Sequence, residues 1–432
     1  MFANLQKILC CSNTLPSDYQ IKENGTNSER TLVLPLSRIQ AETRAELESK
    51  KEIIYYSSLS SDVYSIELSD IIESSTAKIK KVVFGTNHCL ILLTDTSNPN
   101  KTYLAGFGSN TNGQLGLDVY SKSKSDEDLH SKNYYDKVFQ ITVLNENVKI
   151  IDIAASNNFS LLLVYDTIKK QQTLLRFELT QEEVFALGSG DTPSITPVKS
   201  EECPQDILNH LTHIYAKNGR VILQYDSKDT TLYAKGIMFN MDIFETYKVF
   251  QQCPYKKISQ LSLGLNHCLI LFTDNTLISF GHNEYGELGV EGDNPKKIYN
   301  INFFEDRKIK KISTGFRHNL ILCEDGSLFS FGDNSSNQCM GDKKYYPSPK
   351  LMKIKDIVDI ECGGKISLCK NKKGEVFAWG ECDYLFKDEI FNSSSLNKEE
   401  NFRLMNDIKL KSIAGLFAGD DVSLFYTEQF TK

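Results

Sequence analysis

Short apolar runs closed by a carboxylate recur along the chain: HCLILLTD at 88–95, HCLILFTD at 267–274, HNLILCED at 318–325 and a weaker copy, FSLLLVYD, at 159–166. Runs this short, bounded by turn signals, read as buried strands. Asp95, Asp274 and Asp325 end them at turns, because an Asp side chain hydrogen-bonds the backbone two residues on. After each turn an alternating strand ends in aromatic-Gly. The copies are TYLAGFGSNTNGQLGL (102–117), TLISFGHNEYGELGV (276–290), SLFSFGDNSSNQCMG (327–341) and EVFAWGECDYL (375–385). Gly264 to Gly315 spans 51 residues, Gly281 to Gly332 spans 51, and Gly332 to Gly380 spans 48. Helix signals are scarce; the best is the polar segment 38–51.

Each repeat reads as two hairpins. An apolar strand such as 310–315 reaches a small residue, the HNLILC strand follows, Asp325-Gly326 turns, and SLFSFG runs back. Four strands in about 50 residues make one propeller blade. Incoming halves lie near 80–93, 148–165, 212–225, 257–273, 309–323, 356–370 and 409–426. Outgoing halves lie near 31–37, 102–117, 173–188, 231–239, 276–290, 327–341 and 375–385. The first piece, TLVLPLS, is an outgoing half, and the last, at 410–426, is an incoming half. An open array would expose two sheet edges, and stitching one blade from both ends removes them. The expectation is an all-β, seven-bladed propeller of four-stranded antiparallel blades over 31–428. Pairing of N- and C-terminal strands closes it, and 1–30 forms a flexible tail.

The pattern resembles the regulator of chromosome condensation repeat, which pairs a Gly-x-x-His strand with an aromatic-Gly…Gly-Gln-Leu-Gly segment. The matching residues are Gly85/His88, Gly264/His267 and Gly315/His318, with Gly113-Gln114-Leu115-Gly116 and Gly286-Glu287-Leu288-Gly289. The likeness is strong over 80–118 and 257–345. It is weak over 148–250, where Phe159 replaces the His and most glycines are missing.

Composition narrows the chemistry. The 432 residues carry 49 Lys+Arg against 56 Asp+Glu, a net charge of −7. That balance gives no nucleic-acid footprint over the whole surface. No run of 18 apolar residues occurs, so no membrane-spanning helix is expected. The 11 cysteines are odd in number and scattered, with several inside strand-like runs (Cys89, Cys268, Cys323). They read as reduced and buried, in an intracellular protein, cytoplasmic rather than nuclear. Cys10-Cys11, after Ile8 and Leu9, are the one acylation candidate; without a myristoylation glycine no membrane anchor is expected.

His88, His267 and His318 look like a catalytic or metal set only when the repeat is ignored. As equivalent positions in separate blades they are expected to be buried imidazoles bonded to neighbouring backbone. Gly85, Gly264, Gly315, Gly108, Gly281, Gly332 and Gly380 are expected to serve tight turns and close backbone approach. No nucleophile elbow, phosphate loop or His-Glu-x-x-His helix occurs, and LGSGDTPS (187–194) reads as a turn. The expected catalytic set, metal set and cofactor list are all empty.

Function then falls to material outside the repeat. The candidate partner-binding segments are 121–133 with Asp126, Glu127 and Asp128, 177–193 with Glu182 and Glu183, and 386–402. One reading is a non-catalytic interaction scaffold or regulatory subunit that binds another protein and no nucleic acid directly. The alternative follows from the resemblance, whose founding member exchanges guanine nucleotide on the small GTPase Ran through a wedge from the third outgoing hairpin. The matching segment here, 173–190, lacks that wedge's polar, Asn- and Gly-rich character. Residues 1–30 carry only Lys7, Lys22 and Arg30 against Asp18, Glu23 and Glu29, not a basic tail. Both departures favour the scaffold reading.

Overall fold

The computed structural model describes residues 20–22, 31–33, 52–57, 63–72, 77–116, 134–141, 147–178, 195–197, 208–225, 231–235, 256–292, 294–295, 297–381, 403–404, 413–419 and 422–427. The chain divides into two compact units, Lys51–Glu428 and a second made of Met1–Lys50 with Gln429–Lys432. In the second, Gln20–Lys22 pairs with Thr31–Val33.

The large unit is an all-β propeller with antiparallel blades. Five four-stranded sheets are continuous in sequence, at 77–141, 148–197, 258–300, 309–351 and 357–404. A sheet at 211–235 has three described strands. In one further four-stranded sheet, Ile413–Ala418 and Val422–Thr427 pair with Glu52–Ser57 and Val63–Glu67. The seven expected incoming halves all form hairpins. The strand that pairs with the C-terminal hairpin is Glu52–Ser57, with Tyr55 opposite Leu424, in place of the expected outgoing half at 31–37, of which Thr31–Val33 is described and pairs with Gln20–Lys22. EIIYYS has the β-branched and aromatic content of a strand but no aromatic-Gly signature to mark its phase. The expected helix at 38–51 lies outside the described residues, and the α-helix that is described is the short Leu68–Ile71.

The apolar runs form strands because both faces are covered. In the 309–351 sheet Leu320, Leu322 and Leu328 face Ile357, Ile360 and Trp379 of the next sheet. Ile321, Cys323, Phe329 and Phe331 face Leu269, Leu271 and Leu277 of the preceding one. A strand buried on both sides gives a continuous apolar run, not alternation.

The first strand of each of the seven sheets in the large unit carries a one-residue bulge, skipping Lys80, Ile151, Thr212, Ser259, Lys310, Val358 and Ala414. A bulge bends its strand and tightens the twist.

Candidate functional site: the repeat latches and the central cavity

The repeated polar residues meet between sheets. His88 Nε2 lies 2.7 Å from Ser160 Oγ, His267 Nε2 lies 2.8 Å from Asn319 Oδ1, and His318 Nε2 lies 2.9 Å from Ser367 Oγ. Each partner is the residue just after the histidine position of the next sheet. That partner then donates back to the Gly-Gln-Leu-Gly loop of the first sheet. Ser160 Oγ donates to the Gln114 carbonyl at 2.9 Å, Asn319 Nδ2 to the Glu287 carbonyl at 2.9 Å, and Ser367 Oγ to the Gln338 carbonyl at 2.9 Å.

This geometry fixes the tautomer. Both serine protons are committed to carbonyls, and Asn319 offers its amide oxygen, so all three histidines carry the proton on Nε2. Nδ1 is then a buried lone pair without a partner in each ring. The imidazoles pack on Gly85, Gly264 and Gly315, where a Cβ would overlap the ring. Burial lowers the histidine pKa values from 6.5 to about 3 at His88, about 4 at His267 and about 3 at His318. The rings are neutral and fully engaged. The expectation of backbone partners needs correction: the imidazoles bind a side chain of the adjacent sheet, so they join blades instead of bracing one.

The loop after the third strand repeats as closely. Asn110, Asn283 and Asn334 accept through Oδ1 from the N–H of Leu115, Leu288 and Cys339 at 2.8–2.9 Å. Gln114, Glu287 and Gln338 accept from the N–H two residues earlier. Glu287 is 3% exposed, and burial pushes its carboxyl up to about 7 against the opposing pull of the Tyr285 N–H and Arg317. Gly108, Gly281, Gly332 and Gly380 all have φ near +100°, between +91° and +112°, as the expected close approach requires. A Cβ on Gly332 would overlap the Arg317 carbonyl. Asp95, Asp274 and Asp325 accept from N–H groups two residues on, at 2.8–3.0 Å, as hairpin closers.

The irregular sheets use other chemistry at the same seams. Arg220 donates to the Leu265 carbonyl and, at 2.6 Å, to Asn266 Oδ1. The Gly219 N–H donates to Ser156 Oγ at 2.7 Å. Asp152 bridges Lys81 Nζ at 2.8 Å and the Ile214 N–H at 2.8 Å. The regular seam between the 309–351 and 357–404 sheets carries an ion bridge as well: Lys311 pairs with Asp359 at 2.8 Å and Glu361 at 3.1 Å. Burial opposes its charge, but the Glu361 and Asp359 carboxylates outweigh burial and hold Lys311 above the usual lysine range.

A cavity of about 230 Å³ is lined by first-strand residues of seven sheets, among them Val83, Ala154, Tyr215, Ser262, Thr314 and Phe417. Its polar side chains include Lys81 and Glu361 of the ion bridges, together with Lys217, Ser313 and Thr314. Among the described residues no group of three His, Cys, Asp or Glu could hold a metal ion. The candidate residues Asp126, Glu127, Asp128, Glu182 and Glu183, the segment 386–402 and Cys10-Cys11 lie outside the described residues.

Fold and seams together define a β-propeller whose repeat signature is an inter-blade fastening. The model of the regulator of chromosome condensation repeat matches residues 258–287 and 309–338, the most regular stretch. The chain carries that repeat in divergent form. Human HERC3, a probable E3 ubiquitin-protein ligase, is 27% identical over 198 residues, 44% of this chain and 18% of that protein. The Arabidopsis thaliana ultraviolet-B receptor UVR8 is 29% identical over 29% of this chain and 30% of the receptor. The Saccharomyces cerevisiae guanine nucleotide exchange factor SRM1 is 28% identical over 29% of this chain and 30% of that factor. Each match spans less than a third of the relative's length. Among solved structures, Prp20p from Saccharomyces cerevisiae, reported with its binding to Gsp1p and histones, superposes with a TM-score of 0.63 at 17% identity. That superposition covers 89% of this chain and 93% of Prp20p. Human WBSCR16 gives 0.60 at 13% identity over 88% of this chain and 99% of its own. These two likenesses concern the fold.

Proposed function

We propose that the chain is a closed, seven-bladed docking ring, a non-catalytic scaffold or regulatory subunit that holds another protein. The observation that carries this reading is the use of the repeated polar groups. The histidines that could do acid–base work at neutral pH are neutral, and their Nε2 protons are given to the next sheet. Closure is supported by the pairing of Val422–Thr427 with Glu52–Ser57. It is supported too by the common packing of Leu424 and Tyr426 with Cys89 and Ile91. The three-stranded 211–235 sheet counts as the seventh blade. The setting we propose for the chain is a reducing, intracellular one, cytoplasmic rather than nuclear.

A second reading, guanine nucleotide exchange on a small GTPase, is favoured by the SRM1 likeness and by the fold shared with Prp20p. In that reading the 173–190 hairpin, with Glu182 and Glu183, enters the GTPase. Release of a fluorescent guanine nucleotide from a panel of small GTPases, Ran included, separates the two. No acceleration by the folded protein is expected. Acceleration of several orders of magnitude on one member overturns the docking reading and establishes exchange.

A further inference from the structure

The leading ends of the first strands carry a repeated charge pattern. Two positions matter: the bulge residue, and the residue two before it. Lysine fills them at Lys78, Lys80, Lys149, Lys257, Lys308 and Lys310. The acid described at these positions is Asp356, which pairs with Lys372 at 3.2 Å. All six lysines lie just upstream of the residues that line the central cavity; four are on the first strands themselves, and Lys257 and Lys308 immediately precede theirs. A chain of net charge −7 therefore bears a cationic collar at one end of that cavity, drawn from four of its seven sheets, in which the Lys149 Nζ donates to Asn100 Oδ1 at 3.1 Å.

The collar is preorganised. Lys80 Nζ donates to the Ile151 carbonyl at 2.6 Å and Lys310 Nζ to the Val358 carbonyl at 2.8 Å, each the bulge carbonyl of the next sheet. Those bonds hold two ammonium groups at the rim while both side chains stay exposed. The Lys257 and Lys308 ammonium groups meet no carboxylate among the described residues. Like charges crowd there: burial lowers the Lys80 pKa, and Lys149 and Lys81 lower it further, against the pull of Asp152.

We infer that this collar is the docking surface for an acidic, extended segment of a partner protein, a run of Asp and Glu whose side chains reach the cavity mouth. The inference rests on the docking reading above and names the chemistry of its partner. A nucleic-acid duplex fits less well. The hairpins and connections on the same side carry exposed Asp274, Glu305, Asp306, Glu324 and Asp325, which break any basic stripe that a phosphate backbone would follow. A flexible peptide passes between them to the centre.

The test uses the full chain and a fluorescein-labelled (Glu-Asp)6 peptide, read by anisotropy at two salt concentrations, with a (Gln-Asn)6 peptide and a 20-base-pair duplex alongside. Binding of the acidic peptide alone, weakened by salt, is expected. The Lys80→Gln/Lys308→Gln/Lys310→Gln variant should weaken it about tenfold. A variant of equal charge elsewhere, Lys297→Gln/Lys343→Gln/Lys344→Gln, should change it less than twofold. Lys257→Gln/Lys308→Gln guards against misfolding, since neither ammonium holds the fold, and it should also weaken binding. Absence of peptide binding, equal weakening by the collar and remote variants, or tighter duplex binding overturns the inference. No GTPase is present, so failure here leaves the docking reading to the nucleotide-release assay, whose outcome is independent.

Discussion

The 258–351 region and the 148–235 region build the same sheet-to-sheet seam from different parts. In the first, His267 and His318 reach Asn319 and Ser367, which bind back to the loops at Glu287 and Gln338. In the second, Phe159 occupies the histidine position, and Asp152, Ser156 and Arg220 do the fastening. The seam is thus a requirement of the fold, and the histidine is one of several ways to meet it. The regular version couples three motifs in one hydrogen-bonded circuit and leaves no slack at its glycines. The irregular version uses separate contacts from Asp152, Ser156 and Arg220 and leaves open space at Gly219.

The sharpest break in that comparison is Gly332→Ala. The position has a φ of +103° and a Cβ there would overlap the Arg317 carbonyl, so both the dihedral and the packing forbid a side chain. Thermal or urea unfolding should show a loss of about 3 kcal/mol or more. A loss below about 1 kcal/mol would mean that the regular seam is more pliant than its geometry.

Ser367→Ala comes next. It removes the acceptor of the His318 Nε2 proton and one of the donors to the Gln338 carbonyl, which keeps Trp379 Nε1 at 2.8 Å. Stranding the buried His318 donor should cost about 1–3 kcal/mol. The seam predicts that His318→Ala combined with Ser367→Ala costs less than the sum of the singles, because the second change strands nothing new.

The pH profile separates the two kinds of buried group. Folded histidines with pKa values of about 3, 4 and 3 cannot take up the protons that the unfolded chain binds below 6.5, so stability should fall as pH drops from 6.5 toward 4. Glu287 works the other way. Its folded pKa of about 7 stands above the ordinary 4.5, so its contribution is present below about 4.5 and is lost as pH rises through 7. Glu287→Gln, which restores the residue found at Gln114 and Gln338, should stabilise by about 2 kcal/mol at pH 8 and almost nothing at pH 4. Denaturant titrations of both proteins at the two pH values check the sign.

The sequence made the regular region legible because every element of its circuit repeats in phase. The glycine, the histidine, the aromatic-Gly and the Gly-Gln-Leu-Gly loop each recur at 51-residue spacing around Gly264–Gly315 and Gly281–Gly332. It did not show that these motifs bind one another. The partner of each histidine is a Ser or Asn 49 to 72 residues away in a sheet not yet formed, and nothing local marks it. The strand Glu52–Ser57 was missed because its burial comes from the C-terminal hairpin, and TLVLPLS at 31–37 offered a closer match to the phase. The Asp152 and Arg220 fastenings were equally hidden. A charged residue in a weak repeat reads as surface until its cross-sheet partners, Lys81 and Asn266, are in place. The cationic collar had a signal that could have been found: lysines at 78, 80, 149, 257, 308 and 310 share two phases of the repeat.

The smallest effect sharpens the comparison from the irregular side. Gly219 also has a positive φ, +77°, in the turn between Leu211–Lys217 and Arg220–Tyr225, but a Cβ there would meet nothing within 4 Å. The backbone conformation alone resists a side chain, because a Cβ at positive φ crowds only its own carbonyl. Gly219→Ala should therefore cost about 1 kcal/mol. Gly219→Asn should cost less still, since Asn tolerates the left-handed region, and Asn218 beside it already adopts a φ of +50°. If instead both substitutions cost as much as Gly332→Ala, the bond from the Gly219 N–H to Ser156 Oγ would be holding this turn as tightly as the histidine circuit holds its own. The two regions would then differ in composition and not in rigidity.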